Sequence, residues 1–425
     1  MPRQAFALVD ANNFYATCEK IFQPELSNRP VVVLSNNDGC IVARSAEAKA
    51  LQIPMGAPIH EWREFCERHE VVIKSSNYTL YGDMSARMLG VLQEMCPDVE
   101  SYSIDESFLD LAGMPDPGVL GFALRAAIRR RTHITCGVGI GKTKTLAKFA
   151  NLIAKKQPFW GGVFSLLDQP DEMVDGLMSG YPVDEVWGVG RRLSKRLNEE
   201  GILTVLDLKR ADPDRVRQRY GIVLEKTVRE LNGLSCLSME EVGRPKQQIM
   251  ASRSFGTTLM DIQPIRSAVS HHVARAAEKL RLQNGLAQHV YVMLRTNPFR
   301  EQDAQYRRTT LIPLAVPTAD TRVLLEAAMV GLREVFRPGF RYHKVGVMLG
   351  QITDAGVQQQ DLFDQPDDPK RTRLMSLMDQ INHAQGRGTL HFASTDLDDA
   401  WHMRTGSRSP RYTTCWDELP VAYCR

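Results

Sequence analysis

Asp105 and Glu106 stand side by side in Ser101-Tyr-Ser-Ile-Asp-Glu-Ser-Phe-Leu-Asp110, a run otherwise built from apolar and strand-forming residues. Adjacent carboxylates repel each other, and desolvating them is costly unless a cation compensates. Val99, Tyr102, Ile104, Phe108, Leu109 and Leu111 suit two short strands, with the acidic pair at their junction. A third carboxylate, Asp10, ends the apolar run Ala5-Phe-Ala-Leu-Val-Asp10. Three carboxylates at the ends of short strands make a candidate hard-cation site, suited to Mg²⁺ and its phosphate ligands. An isolated Asp-Glu pair is more often a solvated turn, so the surrounding residues decide.

These side chains need a frame. Residues 6–10, 31–34, 40–44 and 71–74 read as strands, and 78–95 has helical apolar spacing at Leu80, Met84, Met88, Leu89, Val91 and Leu92. Strands bracket the acidic pair, and helices over 118–131 and 143–156 flank a strand at 134–140. This order predicts an α+β layer covered by helices on one face. Residues 181–238 are helix-rich with short loops, and 239–247 form a polar linker with Gly and Pro and no apolar period. Over 248–351 the order is strand, helix, strand, strand, helix, strand, the split βαβ pattern. Residues 352–425 are mixed and yield no fold prediction.

A chain of 425 residues with 43% hydrophobic content is expected to fold as two to four domains. No apolar run is long enough to span a bilayer, and no secretory pattern opens the sequence. Eight cysteines without a Cys-x-x-Cys pair argue against structural zinc and for free thiols in a reducing cytosol. His271-His272 reads as partly exposed helix surface rather than a metal site. The net charge of +3 hides an uneven distribution: residues 244–350 hold 16 Lys and Arg against 7 Asp and Glu. A basic excess confined to one segment is what a module tracking nucleic-acid phosphates needs.

Asp10-Ala-Asn-Asn-Phe-Tyr-Ala16, Ser103-Ile-Asp-Glu106 and Gly137-Val-Gly-Ile-Gly-Lys-Thr-Lys-Thr-Leu-Ala-Lys148 together resemble the Y-family translesion DNA polymerases. The narrower likeness is to their UmuC type. It is carried by Val31-Val-Val-Leu-Ser-Asn-Asn-Asp-Gly-Cys40, Ala46-Glu-Ala-Lys-Ala50, Val186-Trp-Gly-Val-Gly-Arg-Arg192, Arg229-Glu-Leu231 and Ser409-Pro-Arg-Tyr-Thr-Thr414. The resemblance spans essentially the whole chain. It implies a multidomain α+β right-hand polymerase. The ferredoxin-like palm would occupy 1–15 and 79–180, small fingers 16–78, and a helical thumb with a helix-hairpin-helix 181–238. The 239–247 linker would lead to a split-βαβ little finger at 248–351, followed by a C-terminal interaction region at 352–425.

The same resemblance implies an error-prone, template-directed DNA polymerase of the SOS response that adds dNTPs to a primer 3′ end and has no proofreading. Asp10, Asp105, Glu106 and the carbonyl of Ala11 would hold two Mg²⁺ ions. Tyr15 would be the steric gate against ribose, and Lys155 and Lys49 would meet the incoming triphosphate, with Arg44 and Lys148 nearby. Family members can carry Arg at the position of Lys49, and Lys offers a point charge instead of a fork. Gly188, Gly190, Arg191 and Arg253 would contact DNA, the glycines by letting backbone N–H groups approach a phosphate. Gln359, Leu362 and Phe363, in Gln-Gln-Asp-Leu-Phe, resemble the bacterial sliding-clamp peptide. Expected partners are primer-template DNA, a processed UmuD-type dimer, a RecA filament and the sliding clamp, in bacterial cytoplasm at the nucleoid and away from membranes.

Gly137-Val-Gly-Ile-Gly-Lys-Thr143 superficially suggests a phosphate loop. Three residues, not four, separate its first Gly from Gly-Lys, and Cys136 stands where that Gly belongs, so no ATPase is expected. Two other classes remain open. One is a nucleotide cyclase with comparable metal chemistry; the other is a non-catalytic, DNA-bound scaffold that recruits the clamp.

Overall fold

The computed structural model describes residues 4–239, 245–356, 369–386, 388–395 and 400–419. The chain forms two compact units. The first comprises Met1–Ser35, Gly39–Val242 and Ser407–Arg425; the second comprises Asn36–Asp38 and Gly243–Gly406.

In the first unit a five-stranded sheet runs in the order Val99–Ser101, Glu106–Asp110, Phe6–Ala11, Cys136–Gly141, Val163–Ser165. All neighbours are antiparallel except the last pair. Phe6–Ala11 is central and covered on both sides, which is why its sequence is an unbroken apolar run up to Asp10. Ala7, Val9, Leu109, Val138 and Ile140 share a core with helices Tyr78–Met95 and Pro117–Thr132. Phe6, Leu8 and Phe108 instead pack with Ala147 of helix Lys144–Lys156.

Helices therefore cover both faces of the sheet, not one as the sequence order suggested. The reason lies in strand Cys136–Gly141, where buried Val138 and Ile140 alternate with Gly137, Gly139 and Gly141. One face of the strand is bare backbone, and helix Lys144–Lys156 lies directly on it. A Cβ at Gly139 would stand 2.0 Å from the Asn151 nitrogen, and one at Gly141 2.7 Å from the Leu146 Cβ. The segment is thus a strand-to-helix turn, and Thr143 caps the helix by accepting from the Leu146 N–H at 3.2 Å.

A smaller sheet, in the order Ile41–Arg44, Val31–Leu34, Val72–Ser75, closes over its own core of Val32, Leu34, Ile41, Ile53 and Ile59. Helices Asp171–Ser179, Arg191–Glu199, Val205–Arg210, Pro213–Tyr220 and Ile222–Leu231 form a bundle. Its core is continuous with Leu146, Phe149 and Ile153.

The second unit is an antiparallel sheet ordered Arg307–Thr318, Gly285–Thr296, Tyr342–Asp354, Ile249–Leu259. Helices Ile262–Leu282 and Thr321–Val335 pack on it, giving the strand-helix-strand-strand-helix-strand order read from the sequence. Helix Pro369–Gln385 is clamped to this unit by Arg281, whose Nε and Nη2 donate to the two carboxylate oxygens of Asp379 at 2.6 and 2.8 Å. Trp401 fills the same core, and His272 is buried against it. The expectation of a partly exposed His272 is corrected: Trp401, 129 positions along the chain, covers that helix face. From Ser407 the chain rejoins the first unit, where the Ser407 carbonyl accepts from the Ser75 N–H at 3.1 Å. Among the described residues no helix is long and apolar enough to cross a membrane.

Candidate active site and nucleic-acid surface

Asp10 and Glu106 are register partners on adjacent antiparallel strands, so their side chains leave the sheet together. Gly137 is the partner of Asp10 on its other side. Above this row runs helix Lys144–Lys156, whose Lys148, Asn151 and Lys155 recur every three to four residues and so share one face. The Lys155 ammonium lies 2.6 Å from Asp10 Oδ1, the Asn151 amide donates to Asp10 Oδ2 at 3.1 Å, and the Lys148 ammonium lies 2.8 Å from Glu106 Oε1. Gly137 is what lets Lys155 pass: a Cβ there would meet the Lys155 methylenes at 3.1 Å and Asn151 Oδ1 at 2.5 Å.

Asp105 joins the pair through its backbone, its carbonyl accepting from the Ala11 N–H at 2.9 Å. Its carboxylate accepts from the Ser103 hydroxyl at 2.7 Å. Among the described residues no three acidic, His or Cys side chains are gathered as a ready metal cage. Of the three carboxylates expected from the sequence, Asp10 and Glu106 are thus register partners, and the Asp105 side chain is engaged by the Ser103 hydroxyl. Like charges without a cation between them repel, and the Ser103 hydroxyl offers the third carboxylate a local partner.

The donor set still suits Mg²⁺. Asp10, Asp105, Glu106 and the Ala11 carbonyl offer only hard oxygens, and Asp10 and Glu106 already hold a positive ammonium. Lys148 is further bracketed by the rings of Tyr102 and Trp187, with its nitrogen 4.6 and 5.1 Å from their centroids. Burial holds the Lys49 ammonium below its ordinary pKa, the charges of Arg44 and Lys155 add to this, and Asp10 opposes it. Lys49 is thus close enough to Arg44, Lys155 and Asp10 to feel the charge of each. Arg44 also donates to the Ile53 carbonyl.

Tyr15 lies in helix Phe14–Ile21, partly buried. Its ring stacks on Tyr81 with centroids 4.4 Å apart and planes at 16°, and meets Tyr78 edge-on at 6.0 Å. Burial first, then Tyr78 and Asp105, push its phenol above the usual value, so it stays neutral near the acidic row.

Gly188 has φ +89, a left-handed conformation that favours glycine, and a Cβ there would meet nothing within 4 Å. Gly190 caps helix Arg191–Glu199, and Arg191 opens it exposed. Trp187 anchors this turn: its indole N–H donates to the Tyr102 hydroxyl at 3.2 Å.

In the second unit, Arg307, Arg295 and Lys344 are register partners across three strands. They leave the sheet opposite the core residues Leu294 and Val345, forming a basic row on the helix-free face. Arg253 is exposed, but its register partner is Val345, so it emerges on the helix side. Gln359, Leu362 and Phe363 lie outside the described residues.

Sequence reading missed several contributors. Glu230 is buried and accepts from the Thr145 N–H and hydroxyl at 2.9 and 2.8 Å, and from the Cys236 and Leu237 N–H groups at 2.9 and 3.0 Å. It pins the start of the lysine-bearing helix to Ile222–Leu231. Its motif, Arg229-Glu-Leu231, was visible in the sequence; its partner 85 positions away was not.

Residues 9–151 match the impB/mucB/samB family, residues 246–362 match that family's C-terminal domain, and residues 372–422 match a domain of unknown function. Protein SamB of Salmonella typhimurium is 46% identical over 421 residues, which cover 98% of this chain and 99% of SamB. Protein UmuC of Salmonella typhimurium strain LT2 is also 46% identical, over 97% of this chain and 99% of its own. DNA polymerase IV of Moorella thermoacetica is 30% identical over 91% of this chain and 94% of its own. In fold, a Y-family DNA polymerase chimera of Dbh and Dpo4 is similar with a TM-score of 0.65, at 20% identity, over 82% of this chain and 99% of the chimera. With both family models matched and relatives aligned nearly end to end, the chain belongs to the impB/mucB/samB family, the UmuC type of Y-family DNA polymerase.

Proposed function

We propose that the chain is a DNA-directed DNA polymerase that performs error-prone translesion synthesis in the SOS response, adding dNTPs to a primer 3′ end without proofreading. The observation that carries this is the registered Asp10–Glu106 pair with a lysine from one helix on each carboxylate. Charges stored as ion pairs can be exchanged: the carboxylates pass to divalent cations and the lysines to phosphates. Asp10, Asp105, Glu106 and the Ala11 carbonyl would hold two Mg²⁺ ions, with Asp105 turning away from Ser103. When bound, Mg²⁺ supplies a lowered pKa at the primer hydroxyl and compensates charge on the leaving oxygens. Lys155, released from Asp10, and Lys49 would then meet the triphosphate. Tyr15 would exclude a ribose hydroxyl by contact, a barrier aimed at the wrong substrate.

DNA would be held through its phosphates by the Gly188–Arg191 turn and by the basic row of the second unit. Gln359, Leu362 and Phe363 would bind the sliding clamp, and a processed UmuD-type dimer and a RecA filament would be accessory partners. The similarity to UmuC supports these last assignments.

The test is primer extension by the full chain with its accessory proteins. Asp105→Ala and Glu106→Ala should each abolish nucleotide addition while circular dichroism stays native; full activity in either would defeat the proposal. Replacing Leu362 and Phe363 by Ala should lower clamp-dependent synthesis and spare basal synthesis, whereas equal loss of both would argue against a clamp contact.

A further inference from the structure

Ser409-Pro-Arg-Tyr-Thr-Thr414 has no place in the chemistry above, yet it belongs to the first unit and buries Ser409 and Tyr412 there. Asn77, which caps helix Tyr78–Met95 by accepting from the Leu80 N–H, donates through its amide to the Ser409 carbonyl and hydroxyl oxygens at 2.9 and 3.0 Å. Tyr412 stacks on Phe22 with centroids 4.9 Å apart and accepts from the Gln23 amide at 3.0 Å. The segment is therefore tied to both helices that shape the Tyr15 neighbourhood, Phe14–Ile21 and Tyr78–Met95.

The decisive contact is with Glu19. Its Oε1 accepts from the Ser409 hydroxyl at 3.0 Å and from the Tyr81 hydroxyl at 2.6 Å. Glu19 and Tyr81 are both fully buried. Tyr81 in turn is the ring on which Tyr15 stacks. A chain of contacts thus runs from the C-terminal segment to Tyr15 through two groups that water does not reach. A buried carboxylate that loses one of two donors must regain it elsewhere or shift, and its other oxygen, Oε2, has no partner. Exclusion by contact is steep in distance, so a displacement of a few tenths of an ångström in the Tyr15 ring changes what fits beside it.

We propose that Ser409 and Glu19 are positioning residues for sugar selection: the C-terminal segment, through Glu19 and Tyr81, fixes the Tyr15 ring from behind. This rests on the reading of Tyr15 as the ribose barrier and adds the residues that aim it. It also gives the stretch matched by the domain of unknown function a part in substrate choice.

The experiment measures kcat/KM for a dNTP and for the matching ribonucleotide, using the full chain with its accessory proteins. Ser409→Ala and, separately, Tyr81→Phe should lower the preference for deoxyribose by about three- to tenfold, the worth of one hydrogen bond expressed as a rate ratio. Ser409→Thr, which keeps the hydroxyl, should retain the parent ratio. Tyr15→Ala serves as the reference and should admit ribonucleotides outright. An unchanged ratio in both Ser409→Ala and Tyr81→Phe, beside a Tyr15→Ala enzyme that uses ribonucleotides, overturns the inference and leaves the Tyr15 reading standing. An unchanged ratio in Tyr15→Ala overturns both. If Ser409→Ala fails to fold, Tyr81→Phe alone decides, because it removes only the buried hydroxyl.

Discussion

Two buried ionisable side chains give the two units opposite responses to pH. Burial raises the pKa of Glu19 above the ordinary carboxylate value, against the hydrogen bonds from Tyr81 and Ser409 and the charge of Lys74. The folded state then keeps a proton that the unfolded chain releases. Its contribution is full below the unfolded pKa and is lost as pH rises through the folded one. His272 is the reverse case: burial, followed by the charges of His271, Arg253 and Lys344, lowers its pKa from 6.5 to about 3. Its stabilisation is full above the unfolded pKa of 6.5 and is lost as pH falls toward 3. Urea unfolding across pH 4 to 8 should therefore show Glu19→Gln flattening the loss toward neutral pH, and His272→Phe flattening the loss toward acid. A pH profile unchanged by either substitution would mean that these groups do not carry the dependence. Asp10, Asp105, Glu106 and Tyr15 were legible as candidate site residues because short motifs carry them. Glu19 and Ser409 were not, since 390 positions separate them and neither bears a chemical signature alone.

Helix Lys144–Lys156 is the element on which the site depends, and three alternating glycines set its height above the sheet. An alanine at Gly139 meets backbone, which cannot turn aside: Asn151 N at 2.0 Å and the Ala147 oxygen at 2.3 Å. The helix would have to lift, at a cost of about 1–3 kcal/mol for overpacking, and Lys148, Asn151 and Lys155 would lift with it. Misplacement on the ångström scale costs about 100-fold in rate, so Gly139→Ala should lose far more activity than stability, as read by primer extension beside thermal melting. Glu230→Ala should show the opposite balance. It strands four donors that the carboxylate satisfies and should cost about 3 kcal/mol in urea unfolding. Helix Tyr78–Met95 was readable to the residue because its apolar spacing is regular and Asn77 and Cys96 bound it. The glycine strand was readable as an element but not as a packing surface. Alternation of Gly with Val and Ile shows that one face is bare, and only the fold shows which helix rests there. The same limit hid the second layer of helices on the sheet.

At the scale of the whole molecule, the carboxylates of the candidate site in the first unit are matched by lysines, while the second unit carries a basic excess. The excess of 16 basic over 7 acidic residues in 244–350 was countable from the sequence, but its arrangement was not, because register decides it. Arg307, Arg295 and Lys344 stand side by side on neighbouring strands, where like charges directly opposite one another destabilise the sheet. Burial and the neighbouring Arg295 charge hold the Lys344 ammonium below its ordinary pKa, and an external anion against the row would relieve that repulsion. A phosphate backbone supplies that anion without regard to sequence. Each cation engaged on a duplex contributes a slope of about −0.9 to the dependence of log affinity on log salt. Lys344→Ala and Arg307→Ala should each weaken primer-template binding by the same factor for every sequence and flatten that slope by about one unit. Arg253→Ala, on the helix side of the sheet, should leave the slope close to the parent's. Fluorescence anisotropy on a labelled primer-template from 50 to 200 mM KCl reads all three, and a parent-like slope in Lys344→Ala and Arg307→Ala would remove this face from the DNA path.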